Sequence, residues 1–217
     1  MTRAIAVLLC ITGLLSCNSK KIERLAFVGP QEIRNNDTLF HTVPSFALVN
    51  QDSDTIRNSN LEGSIYVADF FFTSCPSICP IMTNNLVKVQ RAFKGNSNFS
   101  LVSHTVNPAY DREDILKEYA AKMHADTKNW HFLTGTKEAI YNTAFNGYFA
   151  NAGEDELAPG GFLHSEYFIL VDKKGRVRSG YDNQGNARGV YDGTNDQDVQ
   201  QLINDIKSLL KEDLNDE

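Results

Sequence analysis

Apolar positions along the chain fall either into short unbroken runs or into sets three and four residues apart, which predicts strands and helices in turn. Residues 65–72, IYVADFFF, form a run rich in aromatic and β-branched side chains and read as a central, buried strand. Pro80 tolerates only the first helical position, and Met82, Leu86, Val89 and Phe93 then recur at helical spacing up to Gly95, which predicts an amphipathic helix with a glycine stop. Residues 99–106 predict a second strand. Beyond Pro108, Asp111 is a plausible cap for a helix carrying Ile115, Leu116, Tyr119 and Met123. Residues 130–133 predict a third strand, and Thr136 can cap a helix bearing Ile140, Ala144 and Tyr148.

The remainder fits the same alternation. Residues 151–161 read as a Gly-rich, acidic loop. Strands over 167–171 and 176–181 are expected as a hairpin turned at 172–175, with Gly175 supplying a positive φ. Residues 182–193 read as loop, and Thr194 precedes a helix with Val199, Leu202, Ile203, Ile206, Leu209 and Leu210 on its apolar face. Ahead of the central strand, 43–49 and Ile56 flank a polar turn cluster at 50–54 and predict another hairpin. No internal repeat interrupts this order. It predicts an α/β, thioredoxin-like fold: a central mixed β-sheet flanked by helices, with an N-terminal hairpin and a late β-hairpin.

The first residues depart from this pattern. Arg3 precedes an apolar stretch, residues 4–15, too short to span a bilayer, followed by Ser16-Cys17. The segment reads as a secretory signal, and Leu14-Leu15-Ser16-Cys17 resembles the bacterial lipobox, in which the cysteine becomes the acylated first residue. The expected organisation is a lipoprotein signal peptide at 1–16, a flexible polar tether at 17–40 and one domain at 41–217. The domain would then sit in the bacterial cell envelope, lipid-anchored through Cys17 on the extracytoplasmic, periplasmic side. A net charge of −6 argues against nucleic acid as a partner and against polybasic docking to membranes, leaving acylation as the expected anchor.

Of four cysteines, Cys10 leaves with the signal and Cys17 is consumed by lipid, so the domain keeps one pair, Cys75 and Cys79. They lie at the predicted strand-to-helix turn, in FFFTSCPSICP (residues 70–80), where the positive end of the helix dipole favours thiolate. A disulfide closing so short a loop removes little unfolded-chain entropy, so a functional pair is favoured over a structural one. The CxxxC spacing lets the sulfurs converge on each other or on a soft metal. Two thiolates suit Cu(I), and a site that also holds Cu(II) needs a nitrogen donor. His41, His104, His124 and His131 read as surface or satisfied core residues. His164 differs, because it ends the loop at 160–165 just where the late hairpin begins. Zinc is chemically possible with two Cys and one His, although no neighbouring general base is evident.

Residues 70–80 and 164–175 resemble the Sco/SenC family, copper-binding assembly proteins of respiratory cytochrome oxidase, and FxFTxCPxxCP is a highly specific pattern. The likeness runs over about 43–210, including the DPxxD-like Asn107-Pro108-Ala109-Tyr110-Asp111 and the WHFLTG segment at 130–135. The resemblance implies that Cys75, Cys79 and His164 bind one copper ion, as Cu(I) or Cu(II). It also implies delivery to a membrane-bound acceptor, the dinuclear Cu-A centre of an oxidase subunit. Asn107 stands where members usually carry aspartate; it keeps the hydrogen-bonding shape but cannot ionise.

Two other readings use the same cysteines. In a thiol-disulfide oxidoreductase, one of Cys75 and Cys79 attacks an acceptor disulfide and the other resolves it. In a copper or redox sensor, occupancy is signalled to a partner. A peroxidase is disfavoured, since a pair flanked by prolines does not match a single peroxidatic cysteine with a distant partner.

Overall fold

Seven consecutive residues, Ile65–Phe71, are all buried, as an apolar run predicts for a strand covered on both faces. The structure is a computed structural model that describes residues 24–213. In chain order, β1 (Ala26–Phe27), β2 (Gln31–Arg34), β3 (Asp37–Phe40), β4 (Ala47–Asn50) and β5 (Thr55–Arg57) lead to the short α1 (Asn58–Leu61). Strand and helix then alternate: β6 (Ile65–Phe71), α2 (Cys79–Ala92), β7 (Phe99–Thr105), α3 (Glu113–Lys122), β8 (Trp130–Thr134) and α4 (Lys137–Asn142). The chain ends with β9 (Ala152–Glu154), β10 (Phe162–His164), β11 (Tyr167–Val171), β12 (Val177–Ser179), β13 (Tyr191–Asp192) and α5 (Asp196–Asp213).

The main sheet has the order β1-β12-β11-β6-β7-β8-β4-β5, with β13 also paired to β11. Strands β6, β7 and β8 are parallel, whereas β11 and β4 join them antiparallel. This is the mixed α/β sheet expected from the alternation of patterns. Helix α2 buries Cys79, Met82, Leu86 and Val89 along one stripe against β7 and α5, and the chain turns away at Gly95, whose φ is +83°. Strand β6 therefore aims its carboxyl end at the start of α2.

Several elements differ from the sequence reading. Residues 24–40, expected as tether, are structured. Leu25 is buried, β1 pairs with β12, and β2 and β3 form a hairpin around Asn35 and Asn36, both at positive φ. The anchor is Arg178, a buried guanidinium that bonds the Leu25 carbonyl, Glu212 and Asp172 and lies over the Phe27 ring. Asp111 does not cap α3: Arg112 holds the N-cap position, and Asp111 is fully buried. The 151–161 loop contains β9, which pairs with β10. The helix expected to reach Tyr148 is α4 followed by a π turn over Thr143–Gly147, and α5 is capped by the Asn195 side chain. Residues 182–193, read as loop, contribute β13. The signal segment at 1–16 and the lipidation site Cys17 lie outside the described residues. Among the described residues no helix is long and apolar enough to cross a membrane.

Candidate metal centre

The carboxyl end of β6 and the amino end of α2 place the two cysteines. Cys75 follows the strand in a turn closed by its own N–H donating to the Phe72 carbonyl at 3.2 Å. Cys79 is the first residue of α2, with Pro80 next, where no intrahelical N–H is needed. Both sulfurs are free thiols, Cys79 fully buried and Cys75 at 9% exposure.

His164 arrives from the other end of the chain on the β9–β10 hairpin. Its Cα pairs with Ala152, and the N–H of Ser165 donates to the Asn151 carbonyl. The hairpin rests on the aromatic end of β6: the Phe72 ring meets His164 edge-on at 5.7 Å and Phe162 at 5.3 Å. Gly160 makes this seat possible. Its φ is +80°, and a Cβ there would lie 2.8 Å from the Phe72 ring.

These constraints bring Nε2 of His164 to 3.2 Å from Sγ of Cys79, and one donor atom from each of Cys75, Cys79 and His164 lies within 4.8 Å of the others. Nδ1 of His164 is 3.2 Å from the Ser165 carbonyl, an acceptor only, so Nδ1 carries a proton and Nε2 is the nitrogen that faces the sulfurs. The other histidines lie elsewhere, and the buried His104 leaves its Nε2 without a hydrogen-bond partner among the described residues. His41 bonds the Gly147 carbonyl, His104 is buried beside Phe70, His131 faces Asn50, and His124 occupies the turn after α3.

The two thiols are unequal. A hydrogen bond from Cys79 holds Cys75 far below the ordinary thiol range, against its partial burial and with help from His164 and the Ser77 backbone. The same bond, together with burial, pushes Cys79 up. The pair therefore shares one proton, with the thiolate on the more accessible sulfur.

Sequence reasoning missed one carboxylate near the site and misread another. Asp69, within β6, accepts a 2.5 Å hydrogen bond from Ser103, whose hydroxyl in turn accepts from the Trp130 indole. Burial raises Asp69 to about 7, partly offset by Ser103 and by the field of His164. A lone acid in an apolar strand is the signal that could have singled it out. Asp111 is the second: it accepts bonds from both the backbone and the side chain of Thr73 and from the hydroxyl of Thr105. Asn107 closes the adjoining turn with its backbone carbonyl, which accepts from the N–H groups of Tyr110 and Asp111.

Two soft sulfurs and one imidazole nitrogen converging at the mouth of a parallel sheet form a donor set for a soft or borderline metal, or a dithiol with a neighbouring base. The SCO1/SenC family model matches residues 34–198. The chain belongs to the SCO1/SenC family. The SCO1 protein homolog of Bacillus subtilis is 32% identical over 190 residues, covering 85% of this chain and 90% of that one. The crystal structure of a SCO1/SenC family lipoprotein from Bacillus anthracis superposes with a TM-score of 0.68 at 30% identity, over 78% of this chain and 95% of that one. Yeast Sco1, solved with copper bound, shares the fold with a TM-score of 0.57 at 24% identity, over 77% of this chain and 89% of that one. The fold is thus the thioredoxin-like one of the Sco proteins.

Proposed function

We propose that this protein is a membrane-anchored copper chaperone that binds one copper ion through Cys75, Cys79 and His164 and delivers it during assembly of a cytochrome oxidase. The observation that carries the reading is the convergence of these donor atoms within 4.8 Å from segments 85 residues apart. A thiolate pair matches Cu(I), and the Nε2 lone pair supplies the nitrogen that Cu(II) requires. Copper is the cargo and leaves by ligand exchange, one protein donor at a time, to the thiolates and imidazoles of a Cu-A centre. Cys17 would carry the lipid anchor, holding the domain at the extracytoplasmic face of the envelope beside a membrane-bound acceptor.

Oxidation of the pair, one thiolate and one thiol, joins the two sulfurs in a disulfide, releasing two electrons to an acceptor and the one proton they share. Both sulfur ligands are lost, so copper loading and the disulfide exclude each other. The unequal thiols favour one second reading, reduction of an acceptor disulfide. The Cys75 thiolate attacks, one acceptor thiolate leaves, and Cys79, on losing its proton, resolves the mixed disulfide as the second acceptor thiol departs. Deletion of the gene separates the two. Loss of oxidase activity restored by added copper supports delivery, whereas loss restored only by a thiol reductant overturns it in favour of exchange.

A further inference from the structure

The Asp111 carboxylate is fully buried and joins three donors at the carboxyl ends of β6 and β7. One oxygen, Oδ1, accepts from Thr73 Oγ1 at 2.5 Å. The other, Oδ2, accepts from the Thr73 backbone N–H at 3.1 Å and from Thr105 Oγ1. Thr105 Oγ1 itself accepts from the N–H of Asn107, tying the Asn107–Asp111 turn into the same cluster.

Its location gives the cluster a role that burial alone does not. The parallel ladder between β6 and β7 ends at the pair Phe71 and Thr105, with the Val106 N–H donating to Phe71 O at 2.8 Å. Beyond that point Thr73 has the Asp111 carboxylate as its backbone acceptor. Charge-assisted bonds of this kind are stronger and shorter than neutral ones, so Thr73 is pinned. Thr73 stands two residues before Cys75, and at the far end Cys79 is fixed by the first turn of α2, where the Met82 N–H donates to the Ile78 carbonyl. Between these two fixed ends, Ser74, Pro76 and Ser77 are exposed. Cys79 is held by its helix and His164 by its hairpin, whereas Cys75 is held by one turn hydrogen bond to the Phe72 carbonyl, a turn that runs through Thr73.

Resting on the copper reading above, we propose that Asp111 is a positioning residue of the metal centre: through Thr73 it sets where the Cys75 sulfur stands relative to Cys79 and His164. Loss of the tie should loosen Cys75 alone, leaving the contact between Cys79 and His164 in place. This asymmetry separates a positioning role from a general contribution to stability.

The test compares the wild type with Thr73→Val, Thr73→Ser and Asp111→Asn in the full chain. Three quantities are read: affinity for Cu(II), the sulfur-to-copper charge-transfer band, and the separate alkylation rates of Cys75 and Cys79 in the reduced, metal-free protein, mapped by peptide mass. Thr73→Val removes one charge-assisted bond and is expected to weaken copper binding about tenfold, shift the band and change the Cys75 rate with no change at Cys79. Thr73→Ser, which keeps the hydroxyl, should restore all three, and Asp111→Asn should follow Thr73→Val. If Thr73→Val does not fold, Thr105→Val cuts the other side of the same tie and carries the same expectation. The proposal is overturned if the variants lower the unfolding temperature while copper affinity, band position and the Cys75 rate stay at wild-type values. Should the wild type take up no copper, the copper reading fails by itself, and the Cys75 and Cys79 alkylation rates still decide the role of Asp111.

Discussion

Nε2 of His164 and Sγ of Cys79 stand 3.2 Å apart although 85 residues separate them along the chain. The contact depends on three local decisions: Pro80 starting a helix at the cysteine, the β9–β10 hairpin ending at the histidine, and Phe72 giving that hairpin a surface to rest on. Altering any of them should move the donors apart without touching a donor.

Gly160→Ala tests the last of these. The position requires a positive φ and leaves no room for a Cβ beside Phe72. Alanine in this conformation costs about 1 kcal/mol or more, before the ring shifts. The variant should unfold at lower urea and bind copper more weakly, with Cys75 and Cys79 still able to form a disulfide. Unchanged copper affinity would show that the hairpin seat does not place His164.

The unequal thiols predict selective chemistry. In the reduced, metal-free protein, Cys75 should be alkylated at pH 6, where an ordinary thiol is almost wholly protonated, and Cys79 should lag by at least about tenfold. Peptide mapping after brief treatment with iodoacetamide checks this. Equal rates at the two sites, or a Cys75 rate that rises only above pH 8, would contradict the assigned proton sharing.

Asp69 links the site to pH. Its carboxyl is raised from 3.8 to about 7 by burial, so its contribution to stability is complete below the ordinary carboxylate value and is lost as pH rises through about 7. His104 is lowered from 6.5 to about 4 by burial, so its contribution is lost as pH falls below 6.5. Between about pH 4 and 6.5 the two slopes oppose and nearly cancel. Asp69→Asn removes one of them: its stability should rise with pH across that window at up to about 1.4 kcal/mol per unit, and it should exceed the wild type at pH 8. Urea unfolding at four pH values reads the difference. Parallel curves for wild type and variant would rule out a buried, protonated Asp69.

Much of this arrangement was legible in the sequence. The apolar run ending in CPSICP places both cysteines at a strand-to-helix turn, since a buried strand and a Pro confined to the start of a helix leave few alternatives, although the helix begins at Cys79, one residue ahead of Pro80. His164 was less accessible: periodicity says nothing about where a loop folds, and only the family resemblance joined it to the sulfurs. Asp111 was misread because an acid before a helix can serve as a cap or turn inward, and only the neighbouring strand ends decide which. Residues 24–40 read as tether because Gly29-Pro30 and Asn35-Asn36-Asp37 break the segment with turn residues, leaving only the short apolar run at 25–28 and the pair Leu39-Phe40. Their partners, Arg176, Arg178 and Glu212, lie far along the chain, where no local pattern reaches.

The most direct test is titration of the reduced protein with Cu(II), side by side with His164→Ala, monitoring stoichiometry and the sulfur-to-copper charge-transfer band. One equivalent of copper with an intense band in the wild type, and no stable Cu(II) complex in the variant while Cu(I) binding and dithiol oxidation persist, is the predicted result. The same stoichiometry and spectrum in both proteins would contradict the assignment of His164 as the third donor.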